Sequence, residues 1–81
     1  MKTQVIDMCD GVTTWDVLDN NGKSVGIIQN VVVYNTKIAR STRQKVVGYD
    51  LEKHNGFSKY FGVDEYGSAR AAFAAARRTA G

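Results

Sequence analysis

Between Thr36 and Lys45 the chain reads TKIARSTRQK, with Lys37, Arg40, Arg43 and Lys45 and no acidic residue. Lysine and arginine neutralise phosphates and release condensed counterions, so binding through such a run weakens steeply with salt. Ser41, Thr42 and Gln44 add hydrogen-bonding groups for phosphate oxygens or base edges. Lys59 and Tyr60 supply a further charge and a ring for stacking or a groove contact. The front of the chain has the opposite sign: residues 1–22 set Lys2 against Asp7, Asp10, Asp16 and Asp19, with Trp15 among them. Those carboxylates suit the basic groove of a protein partner. Residues 23–63 carry seven cations against only Asp50 and Glu52. This partition points the middle of the chain toward an anionic partner.

Other chemistries find less to work with. His54 stands beside an Asn-Gly pair without a second His or Cys at ligand spacing, so it reads as a solvated turn residue. Asp7, Cys9 and Asp10 in DMCDG fall short of the four ligands that zinc requires. DVLDNNGK lacks the alternating oxygens and distal glutamate of a calcium loop. No nucleophile elbow, glycine-rich phosphate loop or Cys-His pairing appears. We therefore expect a protein that is not an enzyme and uses no metal or cofactor.

At 81 residues, 43% hydrophobic and 23% charged, the chain has room for one domain and one core. No apolar run approaches the ~20 residues of a membrane span, and no leader pattern opens the chain. A single cysteine, Cys9, cannot form an internal disulfide. A reduced, cytoplasmic setting without membrane contact is the expectation.

Thr14–Leu18 and Lys23–Ile28 flank DNNG, whose Asn-Gly pair signals a hairpin. NVVVYN, residues 30–35, favours a buried strand. QKVVGYDLE forms another, with Val47, Tyr49 and Leu51 on one face and Val46, Gly48, Asp50 and Glu52 on the other. A second Asn-Gly turn, KHNG, leads to a strand with Phe61 and Val63 on one face and Ser58, Tyr60 and Gly62 opposite. Ala69, Ala72, Phe73 and Ala76 then recur at helical spacing as one narrow stripe. Ser68 or Asp64 caps that helix, and Arg77 and Arg78 suit its C-terminal dipole, with Arg70 one heptad before Arg77. The expected fold is α+β: an antiparallel sheet of four to five short strands packed on one C-terminal α-helix. Residues 1–29 form an acidic arm and hairpin that extends the sheet edge, covers one face, or pairs with another copy.

Phe61, Val63, Tyr66, Gly67, Ala69, Ala72 and Phe73, following VVVYN and the Asn55-Gly56 turn, resemble the end of the APETALA/ethylene-response-factor-type DNA-binding domain, over roughly residues 31–79. Relatives of that family occur in phage integrases and apicomplexan regulators. The resemblance implies three antiparallel strands on a C-terminal helix, with the open sheet face in the DNA major groove. It makes duplex DNA the expected partner of a small accessory or regulatory protein, and the basic run with its neighbouring strand supplies the expected contacts: Lys37, Arg40, Arg43, Lys45, Lys59 and Tyr60. Asp50 and Glu52 would repel phosphate on such a face. The alternative is a protein-binding inhibitor or adaptor on the same fold, such as a phage-type anti-defence protein acting on a host nucleoprotein complex. Asp7, Asp10, Asp16, Asp19 and Trp15 would then meet the partner, or the helix would form a homodimer seam.

Overall fold

The computed structural model describes residues 2–9, 11–34 and 44–81. Among these, five strands follow one another in a single antiparallel sheet, in the order β1-β2-β3-β4-β5. They are β1 (Lys2–Cys9), β2 (Val12–Leu18), β3 (Ser24–Tyr34), β4 (Gln44–Lys53) and β5 (Ser58–Gly62). One turn of helix, α1 (Val63–Tyr66), leads into the longer α2 (Ala69–Ala80). The architecture is α+β, with five strands and the helix on one face.

Alternation decides which side chains meet the helix. Val17, Ile28, Tyr49, Leu51 and Phe61 are buried from the sheet, and Ala72, Ala75, Ala76 and Ala80 from α2. From the middle of α2 the buried contacts to the strands are all alanine methyls, so α2 lies close over the side chains of β4, with β5 and β3 beside it. Rings fill the space where the alanines stop. Trp15, Tyr49 and Phe73 meet edge to face, with centroids 4.8 Å (Trp15–Phe73), 5.1 Å (Tyr49–Phe73) and 6.0 Å (Trp15–Tyr49) apart. Such pairs add about 0.5–1.5 kcal/mol each beyond area burial. Ser68 is the N-cap of α2, its Oγ accepting from the Ala71 amide at 3.1 Å. Asp64 instead lies in the first turn of α1.

Three features differ from the sequence expectation. First, residues 2–9 form a strand, although their apolar residues show no clean alternation; a β-bulge between Val5 and Asp7 breaks the period. Second, β3 is one strand of 11 residues where two segments were expected. Asn30, the polar residue at the expected break, is buried: its Oδ1 accepts from the Thr13 amide (2.6 Å) and its Nδ2 donates to the Gly11 carbonyl (3.1 Å). A buried amide satisfied in this way ties the β1–β2 connection to β3 without interrupting the strand. Third, Val46 rather than Val47 packs against the core. Val31 faces Gly48 and Val32 faces Val46, which leaves Val47 as an extra residue, and side chains beyond such a bulge exchange faces.

Both Asn-Gly turns are as expected. Gly22 (φ 78°) and Gly56 (φ 96°) occupy the left-handed region that glycine favours. Asp19 completes the first turn, its Oδ1 accepting from the amides of Asn21 (2.8 Å) and Lys23 (2.9 Å).

Two outcomes test this packing. Ala76→Leu forces a larger side chain into the closest contact and should cost about 1–3 kcal/mol in denaturant unfolding. Arg78→Ala, on the exposed side of the same helix, should stay within about 0.5 kcal/mol. Burial pushes the Tyr49 phenol up from its ordinary value of 10.0. The folded state thus holds this proton more tightly than the unfolded chain. Stability from this group is complete below pH 10 and is lost as pH rises through the raised folded value. Thermal melts from neutral to strongly alkaline pH should show a decline that Tyr49→Phe reduces.

Candidate interaction face

Directly paired residues of an antiparallel sheet share a face, so the cross-strand register orders the surface that α2 leaves open. One row runs Gln4–Asp16–Ile27–Glu52–Ser58 across all five strands. The adjacent row runs Asp7–Thr14–Gln29–Asp50–Tyr60. Each row carries two carboxylates, and neither contains a lysine or arginine. At about 4.8 Å per strand, Asp16 and Glu52 lie about 10 Å apart across the sheet, and Asp7 and Asp50 about 14 Å. Ile27, Asp50, Glu52, Ser58 and Tyr60, together with the cation Lys59, are among the residues lining a shallow open depression at the β3–β5 side of these rows.

Tyr60 closes one end. Its ring lies across the Gly48–Gly62 pair, and a Cβ at Gly48 would fall inside the phenol. The hydroxyl donates to the Val47 carbonyl at 2.9 Å, the backbone group of the bulged residue. Glycine at position 48 is therefore the condition for the ring to lie flat. One ring face covers backbone, and the side chain is still 47% exposed.

A second polar cluster lies at the turn end of the sheet. Ser24 Oγ donates to Asp16 Oδ1 and stands 2.8 Å from His54 Nε2. The single hydroxyl proton is given to Asp16, so His54 Nε2 must be the donor in its contact with Ser24. Serine, histidine and aspartate meet here, but with the hydroxyl in the middle. Nucleophilic catalysis needs histidine to accept the serine proton and the carboxylate to back the histidine; this arrangement instead clamps β2, β3 and the β4–β5 turn together. His54, read from sequence as a solvated turn residue, is thus part of a network. No spacing rule reveals it, because its members come from three separate segments.

The residues expected to act separate into several places. Lys59 and Tyr60 lie on opposite faces of β5: Tyr60 is in the open row, whereas Lys59 pairs with Leu51 on the helix side, its Nζ 5.1 Å from the Phe61 centroid. Lys45 pairs with Val33 at the opposite end of β4 from Glu52 and is exposed. Lys37, Arg40, Arg43 and Asp10 lie outside the described residues. Asp7 and Asp16 join the open rows, Asp16 with one oxygen already accepting from Ser24, and Asp19 is engaged in its turn. Trp15, named as a partner contact, packs against the core. Arg70 and Arg77 flank Tyr49, Phe73 and Ala74 around a second depression on the helix side.

Among the described residues, no three His, Cys, Asp or Glu side chains are placed to hold a metal ion. No described helix is long and apolar enough to cross a membrane. No protein-family profile, curated protein or solved structure matches the chain.

Two substitutions separate the structural role of Tyr60 from any contact it makes. Tyr60→Phe loses only the bond to Val47 and should cost about 0.5–1.5 kcal/mol. Tyr60→Ala also uncovers the two glycines and should cost more, with denaturant midpoints as the readout.

Proposed function

We propose that this protein is a small binding module, an inhibitor or adaptor, whose open sheet face engages a cationic surface of a partner protein. One observation carries the reading: Asp7, Asp16, Asp50 and Glu52 stand in two adjacent cross-strand rows that themselves contain no lysine or arginine. A groove of lysines and arginines that serves to bind nucleic acid would find on this face a set of fixed carboxylates. Arginine pairs with carboxylate in a planar, two-pronged geometry, and the sheet holds its carboxylates at fixed spacing before binding. Phosphate would be repelled by the same face, which is the surface that the APETALA-type resemblance would turn toward DNA. Competition with nucleic acid for a basic groove is the activity that follows, as in an anti-defence protein.

A second reading keeps nucleic acid as the direct ligand. It is favoured by the pairing of Tyr34 with Gln44, which makes residues 35–43 the connection between the two longest strands. That connection carries Lys37, Arg40 and Arg43, and Lys45 follows it, away from the acidic rows. Contact there would be made mostly to the backbone, with weak or shape-based sequence preference.

Fluorescence anisotropy with two labelled probes at two salt concentrations separates these readings. An arginine-rich peptide should bind, and Asp50→Asn with Glu52→Gln should weaken it at least about tenfold, or about 1.4 kcal/mol. The labelled mixed-sequence duplex, added alone, should not bind. Tight duplex binding would favour the second reading instead. In that case Arg40→Glu with Arg43→Glu should lower the slope of log affinity against log salt by about two units, at about 0.9 per phosphate contact.

A further inference from the structure

The two edges of the sheet are built differently. β5 is five residues long, carries Lys59, and has α1 and α2 against it. Short length, lysine and a covering helix are the usual protections of an edge. β1 has little of this. It runs eight residues without proline and, among the described residues, pairs on one side only, with β2. Val5 is 48% exposed, Ile6 53% and Met8 73%. Val5 pairs with Trp15 and Met8 with Thr13, so both stand on the helix side of the sheet, beyond the reach of α2.

We infer that the outer edge of β1 pairs antiparallel with β1 of a second copy, joining two five-stranded sheets into one. Unpaired backbone donors and acceptors along an edge are satisfied by another strand, and the apolar side chains beside them lose water in the same step. The choice of a second copy rests on charge. Lys2 and Asp7 are the charged residues of β1, near its two ends, and both stand on the open face, opposite Leu18 and Thr14. Antiparallel pairing brings the Lys2 end of each strand toward the Asp7 end of the other, whereas parallel pairing sets like charge beside like. A two-fold axis normal to the sheet keeps both helices on one side. Val5 and Met8 of the two copies then fill the gap between the helices. The bulge beside Ile6 limits the length of regular pairing. Eight residues a side is also fewer than the ~20–30 of a standard interface, so the dimer should dissociate in the micromolar range. This inference stands independently of the partner proposed above.

Sedimentation velocity on the full chain, from about 1 µM to about 1 mM, should show the mass rising from 8.9 kDa toward twice that value. Ile6→Lys with Met8→Lys places two charges on exposed positions of the edge and should hold the protein monomeric over the same range. Amide exchange on the unmodified protein provides a readout that does not depend on the variant folding. Protection in β1 should grow with concentration while that in β5 does not. A monomer throughout, self-association unchanged by the two lysines, or concentration-dependent protection confined to α2 or β5 would each overturn the assignment.

Discussion

The contact on which the rest of the structure depends is the approach of an alanine-faced helix to the middle of the sheet. Ala72, Ala75, Ala76 and Ala80 are buried, and none can reach far toward the strands. The sheet must therefore bring the bulk: Ile28, Leu51 and Phe61 fill the space under the helix, with Trp15 and Tyr49 against Phe73 at its margin. A helix with large side chains would stand further off and cover more strands. This one covers β4 closely and has little contact with β1 or β2 beyond Trp15.

That geometry sets what remains for function. A chain of this length can build one core, and here it is concentrated at β3–β5. Everything on the far face is released from packing and is free to carry charge. The edge strand β1 is held by hydrogen bonds to β2 and by the Asn30 tie at the β1–β2 connection more than by burial. Its exposed Val5 and Met8 follow directly from the short reach of the helix.

The legible parts of the sequence were those in which one local rule acts alone. The spacing of Ala69, Ala72, Phe73 and Ala76 gives the helix and its buried stripe, and the two Asn-Gly pairs give the turns. Asp50 and Glu52 fall on the open face because the alternation of Tyr49 and Leu51 is undisturbed there. The illegible parts involve a second strand. Asn30 reads as a break until its partners at Thr13 and Gly11 are known. The bulge at Val47 exchanges the faces of two adjacent valines, which composition cannot distinguish. The acidic rows are illegible for the same reason, since Asp7, Asp16, Asp50 and Glu52 become neighbours only through register. Trp15, counted with the acidic arm in sequence, belongs in space to the aromatic cluster.

The remaining question is how an acidic face and a basic run coexist in so small a protein without cancelling each other. Lys45 and Glu52 are seven residues apart on β4, about 23 Å along the strand. Screening at physiological ionic strength has a length of about 8 Å, so Lys45 and Glu52 act on their surroundings largely independently of one another. Net charge, at +3, therefore predicts little about binding. A cationic partner approaching the open face meets Asp7, Asp16, Asp50 and Glu52, whereas Lys45 stands toward the far end of β3 and β4. Antiparallel pairing through β1 would preserve this separation, because it joins the open faces of two copies edge to edge and leaves Lys45 of each on β4, three strands away.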